Sequence, residues 1–343
     1  MLKIRSLDNK DDKTWDDFVS STPTGTFFHT LGWKRVIEQT FPYRSQYLLA
    51  EEDGQIQGIL PLFEVKSFWG TRSWLSVPFG VYGGVCAKTA EAERSLLEAV
   101  KTLAQERRIH CVEFRHERPC LEPWPSKDLY YTFRRELFGT VEENFQSIPR
   151  KQRRMIRQGE KHGLAMTLNG LEALDDFYAI YTHSLRKLGT PAFPRAYFSE
   201  LLTEFGHACR IVGVWKDQRM VGAVMTFFFK DQVLPYYGGA LSEAVKYAVY
   251  DFMYWAVMQH AVEAGYRIFD FGRSKKGTGA FDFKRHWGFE PALLPYQFYL
   301  PRGGAIPNLN PSNPKLKWAL EIWKRMPINM TRVLGPYLVR YVP

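Results

Sequence analysis

The sequence predicts a mixed α/β protein: two copies of one domain in tandem, closed by a C-terminal helical tail. Three observations predict it. A strand–turn–strand pattern occurs twice, each occurrence is followed by a helix and a further short apolar strand, and a Pro/Asn-rich link then leads into two amphipathic stripes. With 343 residues, 45% of them hydrophobic, the chain carries enough apolar material for two cores.

In the first copy, residues 47–65 read as strand, Asp53-Gly54 turn and strand; in the second, residues 210–229 read the same way around Lys216-Asp217-Gln218. Gly58 and Gly222 fall at matching places after the turns, 164 residues apart. Val81-Tyr82-Gly83-Gly84 then ends a strand in the first copy, and Tyr236-Tyr237-Gly238-Gly239 does so in the second. A helix follows each, marked by Leu96, Leu97, Val100 and Leu103 in one and by Val249, Phe252, Met253, Ala256 and Val257 in the other. Each helix runs into a short strand, Cys111-Val112-Glu113-Phe114 or Ile268-Phe269-Asp270-Phe271, which sets Glu113 against Asp270 at an offset of 157. The offset drifts because loops changed length while the element order survived. Domains are expected over 1–162 and 163–300, with the joint inside 140–164 and a tail over 301–343.

The joint predicts a helix whose apolar stripe includes Val141, Phe145, Ile148, Met155 and Ile156. Arg150, Arg153, Arg154, Arg157 and Lys161 recur at i, i+3, i+4, i+7 and i+11, so one face is a basic ridge. A solvated face is the plain reading, and phosphate capture by arginines is the sharper one. In the tail, Leu316, Ala319, Leu320 and Trp323 form one stripe after the 307–314 link. Met330, Val333, Leu334, Tyr337, Leu338 and Tyr341 form another, interrupted by Gly335-Pro336. These stripes either dock on the body or lie on a membrane surface.

Charge is concentrated in the same two places. Residues 150–161 hold six basic side chains against Glu160, residues 313–343 hold six against Glu321, and together they account for the whole net charge of +10. That pattern favours phosphate-bearing partners or an anionic membrane surface. The four cysteines form no C-x-x-C pair and the eight histidines no H-E-x-x-H spacing, so neither a disulfide framework nor a metal site is predicted. The N-terminal residues lack the apolar core of a signal peptide, and the longest apolar run, about 221–229, is far short of a membrane span. A cytoplasmic protein, membrane-peripheral if the tail binds lipid, is the expectation.

Residues 265–289 are the most informative stretch. Tyr266, Ile268, Phe269 and Phe271 make a strand that delivers Asp270, Arg273 and Ser274 to its carboxyl end, where α/β domains often place chemistry. Gly272, Gly277 and Gly279, with Thr278 between the last two, let a backbone pass close to a ligand, and Lys284 and Arg285 follow as anion or oxyanion partners. Tyr236 and Tyr237 end the preceding strand and would meet the same cleft. A basic surface loop is the plainer alternative, and for Asp270 a loop-ordering acceptor is an alternative to a proton acceptor.

The unit Phe269-Asp270-Phe271-Gly272-Arg273-Ser274, with Gly277-Thr278-Gly279 and Phe283-Lys284-Arg285-His286-Trp287-Gly288, resembles the FemAB-like branch of the GNAT acyltransferases, and within it the FemAB-related proteins of exosortase/PEP-CTERM exopolysaccharide systems. Pro78-Phe79 with Tyr82-Gly83-Gly84, the run 149–154 and Trp323-Lys324-Arg325-Met326-Pro327 extend the likeness over nearly the whole chain. The resemblance implies two tandem GNAT folds and transfer of an aminoacyl or acyl group to an amine, small or lipid-linked, in cell-envelope or exopolysaccharide assembly. It implies a donor used as co-substrate, aminoacyl-tRNA or acyl-CoA, with no permanently bound cofactor. It makes Lys284 the residue facing the donor's reacting end and Asp270 its companion. Arg273, Ser274, Gly277, Thr278, Gly279, Phe283, Tyr237, Phe79, Tyr82, Arg150, Arg154 and Arg157 become substrate contacts. Neither half has the R/Q-x-x-G-x-G/A turn by which CoA-dependent members hold pyrophosphate. Two alternatives stay open: a CoA-thioester N-acyltransferase, and a catalytically silent duplicate binding RNA or an anionic polymer. DNA is not an expected partner.

Overall fold

The computed structural model describes residues 2–306 and 317–341, so the 307–314 link and Leu316 lie outside the described residues. The chain forms two compact units. One holds residues up to Tyr130, the segment from Leu293 and the residues from Arg340; the other holds Tyr131–Ala292 and the tail up to Val339. The boundaries therefore fall at 130/131 and 292/293 rather than at 162 and 300. The basic helix expected to close the first domain belongs to the second unit.

In the first unit, Lys3–Ser6, Leu48–Glu52, Gln55–Leu60 and Cys86–Ala87 make a four-stranded sheet. A second sheet runs Arg44–Ser45, Phe63–Lys66, Arg72–Leu75, Val112–Phe114, Tyr296–Tyr299 and Ser126–Lys127. Helix Ala90–Glu106, capped by Thr89 accepting from the Ala92 amide at 3.1 Å, buries Leu96, Leu97 and Val100 beside Leu48, Leu60 and Trp74.

In the second unit one sheet runs Leu164–Asn169, Cys209–Lys216, Arg219–Phe229, Gln232–Ala240, Ile268–Asp270, Tyr130–Glu136 and Ser274–Lys275, with Pro291–Leu293 paired on Tyr130–Glu136. Helix Val249–Glu263 buries nearly its whole circumference, including Phe252, Met253 and Val257, in this unit's core. Helix Arg150–Lys161 packs on it through Ile156 and Gly159, where an added Cβ would lie 2.8 Å from Phe252. That close approach leaves the arginine side outward.

The ladders of the two units match at single residues. Gly58 pairs with Ala50 and Gly222 with Val214, and in each unit a bulge follows that residue, at Ala50/Glu51 and at Val214/Trp215. Each glycine lets a helix approach: a Cβ would lie 3.0 Å from Leu96 at Gly58 and 2.7 Å from Val249 at Gly222. Val112–Phe114 runs parallel to Arg72–Leu75 and antiparallel to Tyr296–Tyr299; Ile268–Asp270 runs parallel to Gln232–Ala240 and antiparallel to Tyr130–Glu136. Glu113 and Asp270 thus occupy the same topological position.

One matched motif does not survive. Gly58 pairs with Ala87 and Gly222 with Ala240, which puts Gly238-Gly239 opposite Val85-Cys86 in the comparison rather than Gly83-Gly84. Gly83 and Gly84 lie in a loop, with virtual Cβ positions 2.2 Å from Val77 and 1.9 Å from His116, so their smallness serves packing.

The tail also differs from expectation. Helix Ile328–Val339 continues through Gly335-Pro336, and the side it buries carries Thr331, Gly335 and Val339. Met330, Val333, Leu334, Tyr337 and Leu338, the residues of the expected docking stripe, are exposed. In helix Lys317–Arg325, Trp323 is buried. No helix among the described residues is long and apolar enough to cross a membrane.

Candidate active site in the second unit

Gln232–Ala240 and Ile268–Asp270 pair in parallel only at Gln232/Ile268 and Val233/Phe269, and then part. On its other edge the longer strand pairs Met225 with Tyr237 and Thr226 with Pro235, which makes Tyr236 the extra residue of a bulge. Tyr236 and Gly272 flank the mouth of this fork and lie near contact, a Cβ at Gly272 being 3.9 Å from the Tyr236 ring. Gly272 has φ +65°, a conformation that lets the chain turn away from the sheet there.

Asp270 is fully buried and fully engaged. Its Oδ1 accepts from the Gly272 amide at 2.6 Å and from Thr132 Oγ1 at 3.4 Å, and its Oδ2 accepts from Arg134 Nε at 3.1 Å. This carboxylate orders the turn after its strand, the alternative to proton acceptance.

Lys284 corrects the expectation further. Rather than reaching into a cleft, it is buried with Nζ donating to the carbonyls of Phe271 at 2.7 Å, Gly272 at 3.0 Å and Arg273 at 3.1 Å. Burial pulls its pKa down to about 7; Asp270 pushes the other way and Arg273 adds to the drop. Three acceptors match the three protons of an ammonium. These three bonds tie Lys284 to the 271–273 turn.

The other expected contacts separate. Arg273 is partly exposed beside this turn. Ser274 Oγ is buried and has no hydrogen-bond partner among the described residues, and the same holds for Thr226 Oγ1 on the strand facing the bulge. Buried orphan hydroxyls are uncommon and mark places where a ligand or water completes the bonding. Thr226 had no sequence signal, since a threonine in an apolar strand looks like any β-former. Gly277, at φ +78°, Thr278 and Gly279 begin helix Gly279–His286, with Thr278 Oγ1 accepting from the Phe281 amide and donating to the Lys275 carbonyl; no atom lies within 4 Å of a Cβ at either glycine. Phe283 packs on Tyr254, Phe271 and Trp287. Tyr237 is buried, its hydroxyl 3.0 Å from that of Tyr197, and burial holds both phenols well above their usual range. Phe79 and Tyr82 are buried in the first unit, Phe79 against Phe41 and Tyr43 and Tyr82 near Phe28, so they are packing residues there.

On helix Arg150–Lys161, Arg150, Arg154 and Arg157 are exposed, Arg157 lying 5.2 Å over the Phe145 ring, while Arg153 is partly buried and bonded to Gln146. Pro149 at the head of this helix touches Gly288: a Cβ there would be 3.3 Å from the proline ring. The arginine ridge thus begins beside the basic end of Gly279–His286, where Arg285 and His286 are exposed. Between them Asp251, receiving a 3.3 Å bond from Trp287, has its pKa raised to about 6 by burial.

Residues 148–285, the span that contains the ridge, the parting strands and Lys284, match the family model of the acetyltransferase (GNAT) domain. The match is confined to this segment, which is less than half of the chain. No curated protein matches the chain in sequence. Among solved structures, one described as FemX is 14% identical, covering 87% of this chain and 97% of its own at a TM-score of 0.70. The C-terminal domain (DUF2156) of a protein described as a lysylphosphatidylglycerol synthetase from Agrobacterium fabrum is 14% identical, covering 86% of this chain and 92% of its own at 0.57. A tandem GNAT protein from the clavulanic acid biosynthesis pathway is 12% identical, covering 89% of this chain and all of its own at 0.54. At these identities the likeness is one of fold, and the fold is that of tandem GNAT proteins with a helical tail added.

Proposed function

We propose that the protein is an N-acyltransferase that moves an aminoacyl or acyl group from an activated ester or thioester to an amine, forming an amide at the mouth in the second unit. The observation that carries this is that the GNAT segment holds a strand pair that parts just before Gly272, with the buried Ser274 hydroxyl two residues on having no partner among the described residues. A neutral amine attacking the donor carbonyl forms the new C–N bond, a tetrahedral oxyanion builds and collapses, and the donor's oxygen or sulfur leaves with a proton. In this scheme Arg273 and Ser274 hold the donor, while Lys284 and Asp270 keep the 271–273 turn in shape and place a positive charge behind it.

Two features favour aminoacyl-tRNA over acyl-CoA. From Leu241 to Ala248, where a CoA-binding turn would sit, there is no glycine, and the short helix Ser242–Tyr247 fills the connection. The exposed Arg150, Arg154 and Arg157 offer guanidinium groups to a phosphate-rich donor. FemX and a lysylphosphatidylglycerol synthetase as fold neighbours suit aminoacyl transfer, and the sequence resemblance supplies the envelope or exopolysaccharide setting. The acyl-CoA reading is favoured by the description of the family model as an acetyltransferase.

Labelled aminoacyl-tRNA and acyl-CoA, each offered with a panel of amines, test this by mass spectrometry of the amide. Aminoacyl-tRNA is expected to yield product. Replacing Arg154 and Arg157 with Gln should weaken donor affinity and flatten its salt dependence by about one unit per lost contact. Product from acyl-CoA alone would reassign the donor, and no product from either with tRNA still bound would leave the silent RNA-binding duplicate.

A further inference from the structure

An amphipathic helix on a protein surface normally turns its apolar stripe inward. Helix Ile328–Val339 does the reverse. Its inner side approaches the second unit through small or polar positions: a Cβ on Gly335 would lie 2.9 Å from the Ala192 carbonyl, Arg332 Nε donates to Thr182 Oγ1 at 3.0 Å, and just before the helix Arg186 Nη1 donates to the Met326 carbonyl at 3.1 Å. Its outer side presents Met330, Val333, Leu334, Tyr337 and Leu338, between 40% and 63% exposed, at the i, i+3, i+4, i+7, i+8 spacing of one continuous stripe. The preceding helix Lys317–Arg325 adds an exposed Ile322. A stripe of this extent left open to water marks an interaction surface.

The charge around it selects the occupant. Beside it Lys324 and Arg325 are exposed against one acid, Glu321, while Arg332 turns to the body. A second copy of the chain packed on the same stripe would bring these cations together, whereas anionic headgroups would neutralise them while the acyl region received the apolar side chains. We propose that helix Ile328–Val339 is a membrane-surface anchor that lays its outward apolar face into an anionic phospholipid interface. The inference is independent of the proposed reaction, and it requires no spanning segment.

The test is flotation of the full-length protein with phosphatidylcholine vesicles, with and without phosphatidylglycerol, at low and high salt. The protein should float with the anionic vesicles at low salt and less at high salt. Met330→Glu with Val333→Glu should weaken binding at least tenfold while the melting curve stays that of the parent, since both side chains are exposed. Lys324→Gln with Arg325→Gln should reduce the preference for anionic vesicles and leave the fold intact. Absence of flotation with anionic vesicles at low salt overturns the proposal, as does a double-Glu variant that floats like the parent. A concentration-dependent dimer that the double-Glu variant abolishes, with no flotation, assigns the face to a second copy.

Discussion

The two units keep the same ladder and part company beside its central strand. In the first, the partner strand is interrupted: Leu75 pairs with Phe63 and Ala87 with Gly58, so the eleven residues between Leu75 and Ala87 face four on the other side, and the surplus forms the loop through Phe79 and Tyr82. Arg115, buried just past Val112–Phe114, fastens that loop, its Nη1 donating to the carbonyls of Val77 at 3.0 Å and Gly80 at 2.9 Å while its Nε donates to Glu113 at 3.0 Å. In the second unit the partner strand Gln232–Ala240 is continuous and bulged, and the cation past the central strand, Lys284, holds only its own turn. Both copies use a buried cation to collect main-chain carbonyls. One cation ties down the loop beside the central strand, and the other holds the turn that follows it.

The largest effect should come from Arg115→Met. It leaves two carbonyls and Glu113 without their donor, and stripping one partner from a buried charge network costs about 3–5 kcal/mol, readable by urea denaturation. The turnover of the molecules that remain folded should equal the parent's. If it falls with the substitution, the first unit takes part in turnover and the comparison breaks.

Lys284→Met should act on rate as well as on folding, since it too leaves buried carbonyls without their donor. Slackening the 271–273 turn by about 1 Å should lower turnover on the order of 100-fold. Its stability also carries a pH signature. Because burial lowers the Lys284 pKa to about 7 in the folded chain, the unfolded chain binds more protons above that value. The parent should therefore gain stability as pH rises from 7 toward the ordinary lysine pKa of about 10.4. Denaturation curves at several pH values should show that slope in the parent and its loss in Lys284→Met; an identical slope in both would show that Lys284 titrates normally.

The smallest effect sharpens the equivalence of the ladders. Gly58→Ala and Gly222→Ala should each destabilise by about 1–3 kcal/mol, since an added methyl group must displace a packed helix. Gly222→Ala should cost more, its Cβ meeting Val249 at 2.7 Å against 3.0 Å to Leu96. Free tolerance of either alanine would dissociate the two glycines.

Local pattern made the duplication legible. Each hairpin carries its own turn residues, and each glycine lies where a helix must come close, so Gly58 and Gly222 betray a shared constraint. The run from Phe269 to Lys284 was legible as a site because a strand, a glycine turn and charges fall together. What Lys284 does was not, because an ammonium bonded to carbonyls and one facing a substrate leave the same letter in the sequence. Gly83-Gly84 and Gly238-Gly239 look alike for different reasons, and only the pairing with Gly58 and Gly222 separates them. The tail's stripe was visible by spacing, but which side of a helix meets the body depends on the shape of the receiving surface, here the approach of Gly335 to Ala192.

The path of the chain has a consequence for how this protein comes into being. Tyr130–Glu136, which emerges before most of the second unit, is a strand of that unit's sheet, and Tyr296–Tyr299, which emerges after it, completes the sheet of the first by pairing Phe298 with Glu113. A nascent chain leaving the ribosome cannot finish its N-terminal half while that half is all that exists. It must keep the edge of Val112–Phe114 unpaired through the synthesis of some 180 further residues, a long exposure for an apolar strand. The first copy thus reaches its full sheet only after the second has been made.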